Sequence, residues 1–249
     1  MRARRILLPL CAVLLAMACA LAVLPARWLM AWMPGGLPLS VVDASGSIWN
    51  GRALVALGPP GMQRTLPDAV QWQWQWRGLT PAMRLSHPWL AGPLWLQIGP
   101  GTVSVSAQSL RLPASTLTIV GAPLNTLEPS GQLSAAWPAL TLGGKQAAGP
   151  LLTVQWTDAA SSRVRVQPLG SYRAQLTGQG DGTIALTIDS PKGPLLVEAQ
   201  GTLTQSRLRG FSGTARPAPT ADPETREALL PLLSLLGPSK NDITTLRLP

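Results

Sequence analysis

"VQWQWQWRG", residues 70–78, places Trp72, Trp74 and Trp76 two apart with Gln71, Gln73 and Gln75 as the alternating partners. In a strand, successive side chains leave on opposite faces, so the three indoles share one face with Val70 and the glutamines share the other. A helix would spread the rings through about 200° and leave no coherent stripe. The stretch therefore reads as a strand with one apolar face. That face has two possible fates: burial against a facing sheet, or exposure as an aromatic platform. Three exposed indoles would be unusual on a free-standing protein, so burial is the expectation.

The same period of two recurs in "GTVSVSAQSLRL" (101–112), "STLTIV" (115–120), "LLTVQWTD" (151–158), "SRVRVQPL" (162–169), "GTIALTID" (182–189), "PLLVEAQGTLTQSRL" (194–208) and "TTLRL" (244–248). Each reads as a strand with one buried face. Gly99-Pro100-Gly101, Gly143-Gly144, Gly180-Asp181-Gly182 and Pro191-Lys192-Gly193 mark turns between them. The short spacings imply antiparallel neighbours, because parallel strands need crossovers of about a dozen residues or more. Gly and Pro together supply 49 of the 249 residues, yet the apolar runs between them argue for short strands, not disorder. The expected fold is mainly β: an elongated, curved antiparallel sheet, open or partly closed. One segment breaks the pattern. "ADPETREALLPLLSLLG" (221–237) offers Asp222 as N-cap, Pro223 at the first helical position and Gly237 as a stop, which predicts a short helix at about 222–236 over one end of the sheet. Pro231 is expected to kink or divide it.

The N-terminus reads as a membrane anchor. Arg2, Arg4 and Arg5 precede an apolar run from Ile6 to Leu24, whose 19 residues would rise about 28 Å as a helix, close to the hydrocarbon thickness of a bilayer. Basic residues before the run keep residues 1–5 cytoplasmic and place residues 29–249 on the far side, with the anchor over 6–28 and Trp28 and Trp32 at interfacial depth. A cleaved signal peptide is the alternative, through Ala16-Met17-Ala18 or Ala20-Leu21-Ala22, and Cys19 also fits a lipoprotein. Both cysteines, Cys11 and Cys19, fall inside this segment, so the body has no thiol chemistry.

Composition narrows the function further. The net charge of +9 owes four charges to Arg2, Arg4, Arg5 and Arg27; the other 16 basic residues face 11 acidic ones without forming a run. A phosphate-tracking surface needs clustered Lys and Arg, so nucleic acid is not an expected partner. His87 is the single histidine and precedes Pro88, which reads as a turn. One histidine and no body cysteine leave zinc and iron–sulfur sites without their usual ligands. Asp43, Asp68, Asp158, Asp181 and Asp189 mostly sit beside turn signals, where Asp caps backbone amides, and no pair stands out as a glycosidase couple. "GFSGT" (210–214) lacks the spacing of a nucleophile elbow, and "LGGKQ" (142–146) lacks the flanks of a phosphate loop. No cofactor, metal or catalytic residue is expected.

"GSIWNG" (46–51) reads as a strand start with a buried Trp49, bounded by glycines that permit a tight bend. Taken with later stretches, it makes the chain similar to the protein N family of the bacterial type II secretion system. Those stretches are "VQWQWQWRGLTP", "EPSGQLSAAWPALTL" (128–142), "VQWTDA" (154–159), "PLGSYRAQL" (168–176), "GPLLVEAQGTL" (193–203) and the Leu-rich C-terminal segment. The positions that carry the resemblance include Gly46, Ile48, Trp49, Gly51, Trp72, Trp74 and Trp76. They continue with Gly131, Trp156, Pro168, Leu169, Gly170, Tyr172, Gly193, Pro194 and Leu195. "VEAQG" departs from it, with Ala199-Gln200 where another glycine is expected. The resemblance implies a non-enzymatic accessory protein, anchored once in the inner membrane with a periplasmic body. Its partners would be other type II secretion subunits, and no residue-level active site comes with the family. The architecture is also similar to periplasmic proteins whose elongated β-grooves carry lipid, which gives lipid binding as the alternative function.

Overall fold

The computed structural model describes residues 13–17, 19–28, 39–58, 63–120, 128–144, 148–204, 207–240 and 242–247. The chain forms two compact units, Met1–His87 and Pro88–Pro249. Mainly β structure, antiparallel throughout, holds for both.

Unit 1 contains β1 (Leu39–Gly46), β2 (Asn50–Leu57), β3 (Arg64–Thr65), β4 (Val70–Arg77) and β5 (Thr80–Ser86). β2 pairs with β1, β3 and β4, and β4 pairs with β5. Its core is Ala26, Ala53 and Trp72, with Val41, Ala44, Trp74, Met83 and Leu85 packed against it.

Unit 2 opens with β6 (Leu94–Gly99), β7 (Thr102–Val105) and β8 (Gln108–Pro113), then a 3-10 turn over Ala114–Val120. After it come β9 (Pro129–Trp137), β10 (Leu140–Leu142), β11 (Gly149–Ser161), β12 (Gly170–Gly178), β13 (Thr183–Lys192), β14 (Leu195–Thr204) and β15 (Arg207–Pro217). The C-terminal helix, Pro223–Leu236, precedes β16 (Ser239–Lys240) and β17 (Ile243–Arg247). β7 lies between β6 and β10 in a small ladder. The larger sheet has nine strands in the order β16-β17-β15-β14-β13-β12-β11-β9-β8. Most neighbours are sequence neighbours, as short turns require.

The helix fulfils its local signals. Asp222 Oδ1 accepts the Thr225 N–H at 2.7 Å, Pro223 opens the first turn and Gly237 ends it. Leu229, Leu232, Leu233 and Leu236 recur at helical spacing and pack with Val164, Leu169, Leu195 and Ala215 into the core of this end of the sheet. Pro231 does not divide the helix, which runs unbroken from Pro223 to Leu236. Pro231 sits on the exposed side, where water can satisfy the carbonyl that lacks its N–H partner. At "VEAQG", Ala199 is paired with Gly213, and a Cβ on Gly213 would stand 2.4 Å from that of Ala199. The missing glycine thus has a counterpart on the next strand.

Three expected strands differ. "GTVSVSAQSLRL" divides at Ser106-Ala107 into β7 and β8, which pair in different ladders. "STLTIV" lies in the 3-10 turn, where Thr116 and Thr118 hydroxyls bond the carbonyls of Pro113 and Ser115, both at 2.7 Å. Such local bonds satisfy the backbone without a ladder. "SRVRVQPL" is a loop after β11, although Val164 and Val166 do point to the core as alternation implies. Ser161 ties the loop instead: its carbonyl accepts from the Val164 backbone N–H at 3.2 Å and from the Gln167 side-chain Nε2 at 3.2 Å.

The expected membrane-spanning helix over 6–28 is not supported: among the described residues no helix is long and apolar enough to cross a membrane. Residues 6–12, 18 and Trp32 lie outside the described residues. Residues 13–17 and 19–22 are helical, but the segment leaves the helix before residue 28 and joins the body. Pro25 forms a bridge to Ser47, Ile48 N–H donates to Leu24 O at 3.0 Å, and Ala26 N–H donates to Gly46 O at 3.0 Å. Ala26 is fully buried in the unit 1 core.

Candidate functional site

The site is built on β2, β4 and β5. Trp72 stands opposite Gly51 on one side and Leu85 on the other; Trp74 stands opposite Met83, and Trp76 opposite Pro81. Gly51 is needed for close approach, since a Cβ there would lie 2.5 Å from Cζ2 of Trp72 and 2.8 Å from the Ser45 carbonyl. Gly46 adopts φ +88 to close the β1–β2 turn. Trp72 Nε1–H donates to Ile48 O at 2.9 Å, which satisfies the buried indole. Gly51 and the Ile48 carbonyl thus seat Trp72, and Gly46 closes the turn against Gly51.

Trp49 is placed differently from expectation. It is 43% exposed, sits edge-on to Trp74 with ring centroids 6.4 Å apart, and donates Nε1–H to Leu21 O at 2.8 Å. Its carbonyl accepts the Trp74 N–H at 2.8 Å. The turn holds it there: Ser47 N–H donates to Asn50 O at 2.9 Å and Ile48 N–H to Leu24 O at 3.0 Å, so Trp49 stands at the turn's outer end. Along β4 the stripe is graded. Trp72 is 6% exposed, Trp74 half-buried, and Trp76 75% exposed. The face is therefore buried at one end and open at the other, and the expected burial of all three rings is corrected.

Between these poles lies an apolar cavity of about 540 Å³, walled by Leu24, Trp28, Trp49, Trp74, Met83 and Leu85 among others. The opposite face of the same strands is polar, with Gln71, Gln73, Arg52 and Arg84 around a concavity of about 650 Å³. Sequence reading missed Met83, Leu85 and the Leu24–Trp28 segment as walls. The alternation of "AMRL" would have found the first two; the third depends on long-range bonds that no local pattern announces.

The unit 2 positions gather elsewhere and serve packing. Gly170 (φ +147) and Gly193 (φ +134) lie back to back, so that a Cβ on Gly193 would fall 2.2 Å from Gly170 Cα. Leu169 and Leu195, beside them, are buried, and Leu195 N–H donates to Leu169 O at 3.1 Å. The Tyr172 hydroxyl lies 3.2 Å from both Leu169 O and Leu195 O and bridges the two segments. Burial pushes this phenol well above its ordinary value of 10.0. Pro168 and Pro194 flank the junction, and the Pro194 carbonyl accepts from Ala218 N at 2.7 Å. Gly131 (φ +103) passes under the bulge of β11, where a Cβ would meet Asp158 O at 2.4 Å. Trp156 donates Nε1–H to Ser130 O at 2.9 Å and packs on Tyr172 with centroids 5.8 Å apart.

Titratable groups act on the backbone. Asp181 accepts the Thr183 hydroxyl at 2.5 Å and its N–H at 2.8 Å, which hold its carboxyl below the usual range. The Thr225 N–H and hydroxyl do the same for Asp222. Glu128 is lowered by its hydrogen bond from Ser162 and by the Arg163 guanidinium at 2.8 Å. His87 follows β5, with Nε2 3.3 Å from Asp68 O. Among the described residues no group of three or more His, Cys, Asp or Glu could hold a metal ion.

The sequence model of one family, type II secretion system (T2SS) protein N, matches residues 38–245. The chain belongs to the type II secretion system protein N family. No curated protein and no solved structure gives a significant match. Membership makes the chain a type II secretion component, in a family of secretion components that is not a known enzyme family. The match includes the glycine-framed Trp72 seat and the Gly170–Gly193 junction, while Leu24 and Trp28 precede it.

Proposed function

We propose that this chain is an accessory, non-enzymatic part of the type II secretion apparatus, held in the inner membrane by its N-terminal segment, with its body in the periplasm. It acts by contact with other secretion subunits, not by covalent chemistry. The observation that carries this reading is the family match over nearly the whole β-rich body, residues 38–245. Charged groups engaged in capping and turn bonds agree with it. Deleting the protein in its host and assaying exoenzyme secretion tests the proposal. Exported enzymes should accumulate in the periplasm and return to the medium on complementation. Unchanged secretion with normal subunit assembly would refute it. Lipid binding is the second reading, and the apolar cavity of unit 1 with the half-exposed rings of Trp28 and Trp49 supports it.

A further inference from the structure

One end of unit 1 collects apolar surface from three separate stretches. The β2–β4 register stops at Asn50 opposite Gln73, so Trp74 and Trp76 run past the β1–β2 turn toward the hairpin tip at Gly78-Leu79. Leu21, Leu24 and Ala26 reach that same turn through Trp49 Nε1, Ile48 N and Gly46 O. Exposed there are Trp28 (50%), Trp76 (75%) and Leu79 (96%).

We propose that this end of unit 1 is a lipid-contact surface. An acyl chain of a membrane phospholipid occupies the cavity between Trp28, Trp49, Trp74 and Met83, and the β4–β5 hairpin tip enters the same bilayer face.

Three observations select lipid as the occupant. The adjoining described residues of the N-terminal segment are apolar, with Val13, Leu14, Leu15, Met17, Leu21 and Val23 all at least half exposed, so they offer water no polar face. They are tied by hydrogen bonds to the turn that forms the cavity wall, which makes cavity and apolar segment one continuous surface. Charge agrees: residues 21–28, 46–51 and 70–87 contain no Asp or Glu, while the exposed Arg27, beside the Leu24–Trp28 wall, supplies a cation for anionic headgroups. Tryptophans at the rim suit the headgroup boundary, where the ring is buried and the indole N–H stays bonded. The cavity, at about 540 Å³, falls within the roughly 300–1,000 Å³ of small-molecule pockets.

The inference rests on the reading of the N-terminal segment as membrane-embedded, and its test separates the two. Full-length protein is reconstituted in vesicles of phosphatidylethanolamine and phosphatidylglycerol that carry a diazirine on the acyl chain. After photolysis, adducts are mapped by peptide mass spectrometry. Adducts are expected on residues 6–24 and also on peptides holding residues 46–51 and 72–85. Adducts confined to 6–24 would keep the membrane segment and overturn the lipid-contact surface; adducts in neither would overturn both. Covalent dimers linked through residues 46–51 and 72–85, without lipid adducts there, would assign the cavity to a second copy and also overturn it. Trp76→Ser with Leu79→Ser alters exposed positions alone and should lower tip labelling about tenfold, with labelling of 6–24 unchanged. Met83→Asn, with folding checked by circular dichroism, should lower cavity labelling similarly, and unchanged labelling in either variant counts against the proposal.

Discussion

In unit 2 the apolar side of the sheet around β12, β14, β15 and β17 lies under the C-terminal helix, and Leu229, Leu232 and Leu233 are at most 4% exposed. In unit 1, among the described residues, the apolar side of β4 and β5 has the short Leu24–Trp28 segment against it, and Trp28, Trp49 and Trp76 stand 50, 43 and 75% exposed. Both faces arise from the same alternation of apolar and polar residues. Alternation decides which side chains share a face, but whether that face becomes core depends on what the chain later lays over it. Family positions divide along the same line. Those of unit 2 close a packed junction, whereas those of unit 1 bury one indole and leave others at an open rim.

The comparison breaks most readily at the helix. Leu229→Ala removes a side chain with no exposure, and should cost about 4 kcal/mol by lost burial and residual cavity. Thermal unfolding followed by circular dichroism would show it as a large loss in midpoint for unit 2. A smaller shift than that of an exposed control such as Leu230→Ala would mean that the helix does not close this core.

Gly193→Ala should come next, at about 3 kcal/mol, since left-handed backbone strain adds to overpacking. The new Cβ would meet Gly170 Cα, which cannot swing aside. Gly51→Ala, by contrast, meets the Trp72 ring at 2.5 Å beside two carbonyls, and that ring borders an open cavity. It should cost less and change tryptophan emission more. Equal losses in the two variants would deny that unit 1 has room that unit 2 lacks.

Local signals and long-range ones explain how much could be read beforehand. The helix announced itself because its cap, its Pro223 and its leucine spacing are all contained in one stretch. "SRVRVQPL" misleads because Val164 and Val166 alternate correctly while the Ser161 carbonyl takes the Val164 N–H and the Gln167 side-chain amide in place of a ladder. For the tryptophan stripe, the face was legible, but its graded cover was not. Trp72 is buried by Ala26 and Ile48, residues 46 and 24 positions earlier, and nothing within 70–78 distinguishes it from Trp76. The Gly170–Gly193 junction is likewise invisible to periodicity, because each glycine matters through the other.

Tyr172→Phe probes the unit 2 junction more gently, with an expected cost of about 1 kcal/mol for the shared hydroxyl bond. Its pH dependence has a definite sign. The folded state holds the phenolic proton above the ordinary value of 10.0, so the contribution is whole below pH 10 and falls as pH rises beyond it. Tyr172 is the single tyrosine, so tyrosinate absorbance in alkaline titration reports this site alone. It should appear together with unfolding. Absorbance that rises at pH 10 in a still-folded protein would show an open junction.

The smallest stability effect should fall at Trp76→Ser, within about 0.5 kcal/mol, since the ring is 75% exposed and buries little on folding. That near-neutrality is what makes it informative. Trp72, four residues earlier on the same face, should cost about 3–5 kcal/mol on truncation to alanine. If the two variants unfold alike, the stripe is uniform and the open rim does not exist in solution. If Trp76→Ser is neutral for stability yet weakens lipid labelling at the hairpin, the exposed end of the stripe has a role that folding does not require. A large indole kept in water without structural need is then explained by what it touches outside the chain.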